Sequence, residues 1–270
     1  MLYREINKIE FSIIGMGTWK TFDVSSQSDL TVRQSIIKNC VASGVNLIDS
    51  SPMYGESENI VGQTTKNFKE HFKFATKVWT KGEREGIRQI EKSFKLLDTK
   101  YIHLLQIHNL LDWKSHLPTL RRLKSEKRIG LIGLSCMNPH NYPLLIKIME
   151  TESIDSIQIP YNVKNKFVEK NILGICKDLG IGVLAMEPLG KGEIVHNISP
   201  RLNLTELTSV GIETWAQACL TWVVSNPTIT SAIPATSRPE RILENAKAAI
   251  QLNQGLRDLI EFAIHNQSSN

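Results

Sequence analysis

Short apolar runs alternate with longer stretches of helical period along almost the whole chain, and this alternation restricts the fold more than any other feature. The apolar runs fall at 13–19, 45–48, 72–76, 102–107, 129–134, 154–159, 181–186 and 229–233. Each has the length and composition of a buried strand. Between them the spacing predicts helices over 30–43, a short stretch from Glu56, a stretch with Ile87, Ile90, Phe94 and Leu97 on one face, then 113–127, 139–150, 168–179, 212–226 and 238–250. Asp29 is placed to cap the first helix and Gly44 to end it. Strands joined by helices run parallel, and helices cover the sheet. Eight such units in about 240 residues fit a closed (β/α)8 barrel of the TIM type. A doubly wound open sheet is the alternative. No Gly-x-Gly-x-x-Gly follows the first strand, which counts against its dinucleotide-binding form.

Before the alternation starts, 3–7 and 10–14 read as a β-hairpin about Lys8. After it ends, 255–265 reads as a closing helix. No linker, charge block or low-complexity segment divides the chain, so a single domain over 1–270 is expected. The charge of +5 is too diffuse for a nucleic-acid surface and suits an anionic small molecule. Cys40, Cys136, Cys176 and Cys219 have no paired spacing, which predicts reduced thiols in a cytoplasmic protein and no metal site. No secretory signal and no bilayer-length apolar run is visible. A monomer is the expected state.

The chemistry concentrates in 43–57, where a helix stop at Gly44 leads into a buried strand and then into a loop bounded by Pro52 and Gly55. Asp49 falls at the strand end and Tyr54 five residues on. Lys77 and His108 end the next two strands in the same way. In a barrel of this kind the site lies at the C-terminal ends of the strands, so three successive units bring four ionisable groups to one mouth. Each taken alone has a structural reading as a cap, a packing group or a solvated charge. Together they suit proton delivery to a carbonyl oxygen. A phenol ordinarily titrates near 10, and a neighbouring ammonium is expected to lower that value. Asp49 is placed to hold Lys77 charged, and His108 to donate to the same oxygen. None of the four is a hydride donor, so a reduction here requires a cofactor.

These residues and their surroundings resemble the aldo-keto reductase family. The matching pieces are Gly15-Met16-Gly17-Thr18-Trp19, Asn46-Leu47-Ile48-Asp49, Tyr54-Gly55-Glu56-Ser57-Glu58, Ala75-Thr76-Lys77 and Leu104-Leu105-Gln106-Ile107-His108. Later come Gly133-Leu134-Ser135, Gln158-Ile159-Pro160-Tyr161-Asn162, Pro188-Leu189-Gly190-Lys191-Gly192, Ile233-Pro234-Ala235-Thr236-Ser237 and Glu244-Asn245-Ala246. The resemblance implies a (β/α)8 barrel that reduces an aldehyde or ketone with NADPH, NADH not being excluded. By that analogy Tyr54 is the general acid, tuned by Lys77 and Asp49, and His108 orients the carbonyl. Thr18, Trp19, Asp49 and Met186 fall on the cofactor side, and Ser135 and Gln158 map to positions holding the carboxamide. Leu189, Lys191 and Gly192 map to the loop covering the pyrophosphate. Thr236, Ser237, Arg238, Arg241, Glu244 and Asn245 map to the adenosine end. Trp19, Trp79 and Asn109 are candidates for the substrate pocket.

The chain departs from the family pattern at Cys136, where Asn is common, at Met186, where an aromatic ring often stacks, at Glu187, where Ser is frequent, and at Ala235, where many members carry Lys. Two other readings remain at this stage: a nucleotide-binding sensor with little or no turnover, and a Schiff-base lyase using Lys77.

Overall fold

The computed structural model describes residues 1–198 and 204–265. Its sequence opens with the antiparallel hairpin β1 (Tyr3–Ile6) and β2 (Ile9–Ser12). Asn7 and Lys8 turn the chain with positive φ. Eight parallel strands follow: β3 (Met16–Gly17), β4 (Leu47–Asp49), β5 (Lys73–Val78), β6 (Ile102–Ile107), β7 (Ile129–Ser135), β8 (Ser156–Pro160), β9 (Gly182–Met186) and β10 (Ile229–Ala232). Each pairs with the next in sequence. The sheet also closes on itself. Gly15 N–H donates to Ala232 O at 2.8 Å, Ala232 N–H to Ile13 O at 2.9 Å, and Gly17 N–H to Pro234 O at 3.0 Å. No edge is left open, so this is a barrel and not an open sheet.

The helices are α1 (Gln27–Ser43), α2 (Ser57–Thr64), α3 (Glu83–Leu96), α4 (Trp113–Ser125), α5 (Tyr142–Thr151), α6 (Ile172–Leu179), α7 (Glu193–His196), α8 (Thr205–Thr208), α9 (Trp215–Val224), α10 (Pro239–Ala246) and α11 (Gln254–His265). α1 starts earlier than its apolar stripe suggests. Its cap is Ser26, whose hydroxyl accepts the Asp29 N–H at 3.0 Å, so Asp29 lies inside the first turn and is not the cap. Gly44 ends the helix at φ 76°, in the left-handed region that glycine enters without strain. Among the described residues no helix is long and apolar enough to cross a membrane.

The strand period of two sorts side chains inward and outward. Inside the barrel, Leu47, Ala75, Leu104, Leu131 and Leu184 form one apolar layer. Ile6 and Phe11 of the hairpin pack onto it from the N-terminal end, so the hairpin is a plug. The outward residues join the larger core beneath the helices. Two residues further along β4, β5 and β6 the inward positions become polar, at Asp49, Lys77 and Gln106, and Gln158 of β8, in register with Ser135 of β7, joins them through the Asp49 carboxylate. The apolar layer is therefore the floor of whatever the polar layer does.

Candidate active site

Asp49 ends β4, and 2% of it is exposed. Its carboxylate receives four hydrogen bonds from three donors. Lys77 Nζ lies 2.9 Å from Oδ1 and 2.8 Å from Oδ2, Gln106 Nε2 donates to Oδ1 at 3.0 Å, and Gln158 Nε2 to Oδ2 at 3.1 Å. Lys77 gives a further bond to Ser50 O at 2.7 Å. Burial alone would lower the Lys77 ammonium, but Asp49 and Tyr54 outweigh it and raise the group. Gly133 makes room for this layer, because a Cβ there would come within 2.8 Å of Gln106 Cγ. Thr18 steadies the end of β4 by donating its hydroxyl to Asp49 O at 3.0 Å.

Tyr54 stands half-buried in the loop after β4, its ring 5.3 Å from Lys77 Nζ. The loop is tightly built. Tyr54 N–H donates to Ser51 O at 2.9 Å, Gly55 turns at φ 58°, and Glu56 N–H donates to Asp23 Oδ1 at 3.0 Å. A side chain on Gly55 would run into the Asp23 carboxylate. Glu58 anchors the following helix, accepting Thr76 Oγ1 at 2.6 Å and Ser93 Oγ at 3.1 Å. Burial raises the Tyr54 phenol; Lys77 pulls it down and Asp49 pushes it up, leaving it above its usual value. The expectation that the ammonium would lower it overall is thus corrected: desolvation is the larger effect.

His108 follows β6, packed edge-on to Tyr54 with ring centroids 6.1 Å apart and 6.3 Å from the ring of Trp79. Burial, with the charge on Lys77, depresses the imidazole to about 3. It is therefore neutral across the physiological range. Its Nδ1 lies 3.1 Å from Ser51 Oγ. Asp49, Tyr54, Lys77 and His108 thus meet at the C-terminal end of the barrel.

The other positions singled out from the sequence are more dispersed. Ser135 is buried and accepts the Asn109 N–H at 3.0 Å, which leaves its own proton to donate. Asn109 is exposed at φ 52°, and its side-chain oxygen accepts the Met137 N–H at 3.1 Å. Asn109 thus ties two loops together. Trp19 and Trp79 are both exposed at the mouth. Gln89 grips the backbone of Trp79, accepting its N–H at 2.5 Å and donating to its carbonyl at 3.2 Å. Met186 is half-buried at the end of β9. Leu189 packs on the core, while Lys191 and Gly192 are exposed, and Lys191 Nζ pairs with Glu187 Oε1 at 3.1 Å. At the start of α10, Thr236 Oγ1 accepts the Arg238 N–H at 3.1 Å, and Ser237 and Arg238 are exposed. Arg241 Nε lies 3.5 Å from Glu244, whose other oxygen accepts Thr214 Oγ1, and Asn245 is buried.

Sequence reasoning overlooked three contributors. Gln106 stands in an apolar run, two residues before His108 and on the same inward face, which was the available signal. Ser51 and Met53 flank Pro52 in the loop that carries Tyr54, and Met53 is exposed there. Nothing in the residue types alone marks either one.

The nicotinamide dinucleotide implied by the resemblance can be tested against these groups. Gln106 Oε1 and Gln158 Oε1 are buried with no partner. Such orphaned acceptors call for an explanation. With the free proton of Ser135, Gln158 Oε1 supplies one acceptor and one donor, the complement of a carboxamide. α10 opens without a side-chain cap, but Pro239 carries no N–H and the Arg241 N–H already donates to Arg238 O at 3.1 Å, so a phosphate at this end would rely on the side chains of Arg238 and Arg241 more than on backbone amides. The residues fit the group.

Comparison with known proteins places this geometry. The model of the aldo/keto reductase family matches residues 13–260. The chain is 25% identical to a probable aldo-keto reductase 1 of Glycine max, over 95% of this chain and 85% of that protein. It is 26% identical to an NADH-specific methylglyoxal reductase of Escherichia coli, over 91% of each. Its fold is similar to that of a Klebsiella pneumoniae aldo-keto reductase in complex with NADPH, at 20% identity, a TM-score of 0.82, and 97% and 95% of the two chains. The family match takes in all eight strands of the closed barrel, and on that ground the chain belongs to the aldo/keto reductase family.

Proposed function

We propose that this protein reduces a small aldehyde or ketone to the alcohol, with Tyr54 as the proton donor. The observation that carries this reading is the buried Lys77–Asp49 pair lying directly beside the Tyr54 phenol. When bound, the nicotinamide supplies hydride to the carbonyl carbon. The chain's own residues handle the oxygen. Tyr54 gives its proton to that oxygen as negative charge develops there. Lys77, held charged by Asp49, stabilises the phenolate left behind. His108 is neutral and acts as a hydrogen-bond donor to the same oxygen rather than as a cation. In the reverse direction the phenolate takes the proton back.

Ser135 and Gln158 are the candidates for the carboxamide, Lys191 and Gly192 for the pyrophosphate, and Arg238 with Arg241 for the adenosine end. Thr18, Trp19 and Met186 are assigned to the cofactor side of the mouth, and Thr236, Ser237, Glu244 and Asn245 to the adenosine end with the two arginines. A dicarbonyl such as methylglyoxal or glyoxal is a reasonable first substrate, given the reductases of those compounds among the relatives. Trp19, Trp79 and Met53 at the mouth favour an apolar substituent on the carbonyl. Asn109 is left to its loop contacts. Buried, free thiols support a reducing compartment such as the cytoplasm. A single-domain monomer over 1–270 is the proposed working unit.

The Schiff-base reading is disfavoured by the same pair. A nucleophilic amine must be neutral and free, and Lys77 is held protonated with bonds to Asp49 and Ser50. A sensor with slow turnover is separated from an enzyme by kinetics. The test is a tryptophan-fluorescence titration with NADPH and NADH, repeated with Arg238→Ala, followed by turnover on methylglyoxal. Tight NADPH binding that weakens in the variant, with turnover, supports the reading. Absence of nucleotide binding overturns it.

A further inference from the structure

We infer that Ser51 is a positioning residue that fixes His108 as the tautomer protonated on Nε2. The argument rests on hydrogen-bond satisfaction at a site closed to water. Ser51 is fully buried, and its hydroxyl has two polar neighbours among the described residues: His108 Nδ1 at 3.1 Å and the Met53 N–H at 3.3 Å. The amide can only donate, so it uses the acceptor side of the hydroxyl. The Ser51 proton then has one acceptor within reach, Nδ1. If Nδ1 carried the proton instead, the hydroxyl would accept twice and its own hydrogen would be buried without a partner, which is unfavourable.

With Nδ1 unprotonated, a neutral ring must carry its proton on Nε2. Nε2 has no protein partner among the described residues, and the ring stands beside Tyr54 and Trp79. The hydroxyl thus decides which edge of the imidazole can donate at the mouth. The placement also links two parts of the site. Ser51 O accepts the Tyr54 N–H at 2.9 Å, so the same residue sets the backbone under the phenol and the tautomer of the histidine. A slip of the loop would misplace both.

The inference rests on the carbonyl-reductase reading for its catalytic meaning, but the tautomer can be measured without turnover. Protein labelled with 15N at histidine is examined by long-range 1H–15N correlation at neutral pH, with a His108→Gln sample to assign the signals. The expected wild-type pattern has Nε2 protonated and Nδ1 in the unprotonated class. In Ser51→Ala the Nδ1 shift moves, and both tautomers become populated. The variant's kcat/KM is expected to fall roughly tenfold, the scale of one lost hydrogen bond that holds the ring, with nucleotide affinity unchanged. Ser51→Thr, which keeps the hydroxyl, is expected to restore the Nδ1 shift. A wild-type signal showing Nδ1 protonated overturns the inference, as does a Ser51→Ala spectrum identical to wild type. A correct tautomer in a protein that reduces no carbonyl would count against the proposed function alone.

Discussion

Lys77 Nζ reaches both carboxylate oxygens of Asp49, at 2.9 and 2.8 Å, with only 1% and 2% of the two residues exposed. Breaking a buried pair by removing one partner leaves a charge that water cannot reach. The resulting loss is about 3–5 kcal/mol, whereas removing both charges together is much less damaging. Lys77→Met is therefore expected to unfold at markedly lower urea than wild type, and Asp49→Asn with Lys77→Met to recover part of the difference. Both should be inactive. If Lys77→Met is as stable as wild type, the pair does not carry the charge balance described here.

Removing the phenolic oxygen leaves the ring packing intact. Tyr54→Phe is expected to bind NADPH as wild type does while kcat drops about 10²–10⁴-fold, the range of a lost general acid. Stopped-flow or steady-state turnover alongside a fluorescence titration separates the two effects. A Phe variant with near wild-type kcat would place the acid elsewhere.

The pH response follows from the directions of the shifts. Tyr54 is raised above its ordinary value of 10 and His108 is depressed to about 3. Both keep their working state through neutrality, so kcat for reduction is expected to be flat there and to fall only in alkali, as the phenol ionises. Stability behaves differently. An unfolded histidine titrates near 6.5, and the folded one holds its neutral form down to about 3. Between these values the unfolded chain binds the extra proton. The contribution of neutral His108 is thus complete above about 6.5 and is lost as pH falls towards 3. His103, depressed to about 4 by burial, acts the same way. Urea midpoints measured from pH 7 to 4 should decline, less steeply in His108→Gln. Parallel slopes in the two proteins would contradict the depressed value.

Glu187 and Lys191 close a short loop at 3.1 Å, and both adopt positive φ without being glycine. If this loop covers the pyrophosphate, Glu187 competes for Lys191 and repels the phosphates. Glu187→Gln is then expected to tighten NADPH binding severalfold, in line with about 1 kcal/mol for a half-exposed pair. The salt dependence of binding should change with it. An unaltered dissociation constant would remove the loop from the cofactor site.

Much of this architecture is legible in the sequence, and the exceptions have physical causes. Apolar runs located all eight strands, because parallel strands are buried on both faces. Their ends were less clear. Asp49, Lys77 and Ser135 belong to the ladders, though polar residues at a strand end look like the beginning of a loop. The first barrel strand keeps only Met16 and Gly17 in its ladder with β4, while Ile14 and Gly17 make single bridges to Ala232 and Ala235 across the closure of the barrel. α1 reaches back to Gln27 through polar residues that carry no stripe. α9 starts at Trp215 because Thr214 and Gln217 cap each other reciprocally, a pattern hidden by the apolar face extending to Ile212. Ser51 and Gln106 escaped notice for a different reason. Their importance lies in what stands opposite them across the barrel, 57 residues away in each case.

The hairpin packs Ile6 and Phe11 against the inner leucines, so the base of the barrel is shut by side chains from the first dozen residues of the chain. Solvent therefore reaches the polar layer only from the opposite rim, past the ends of the strands.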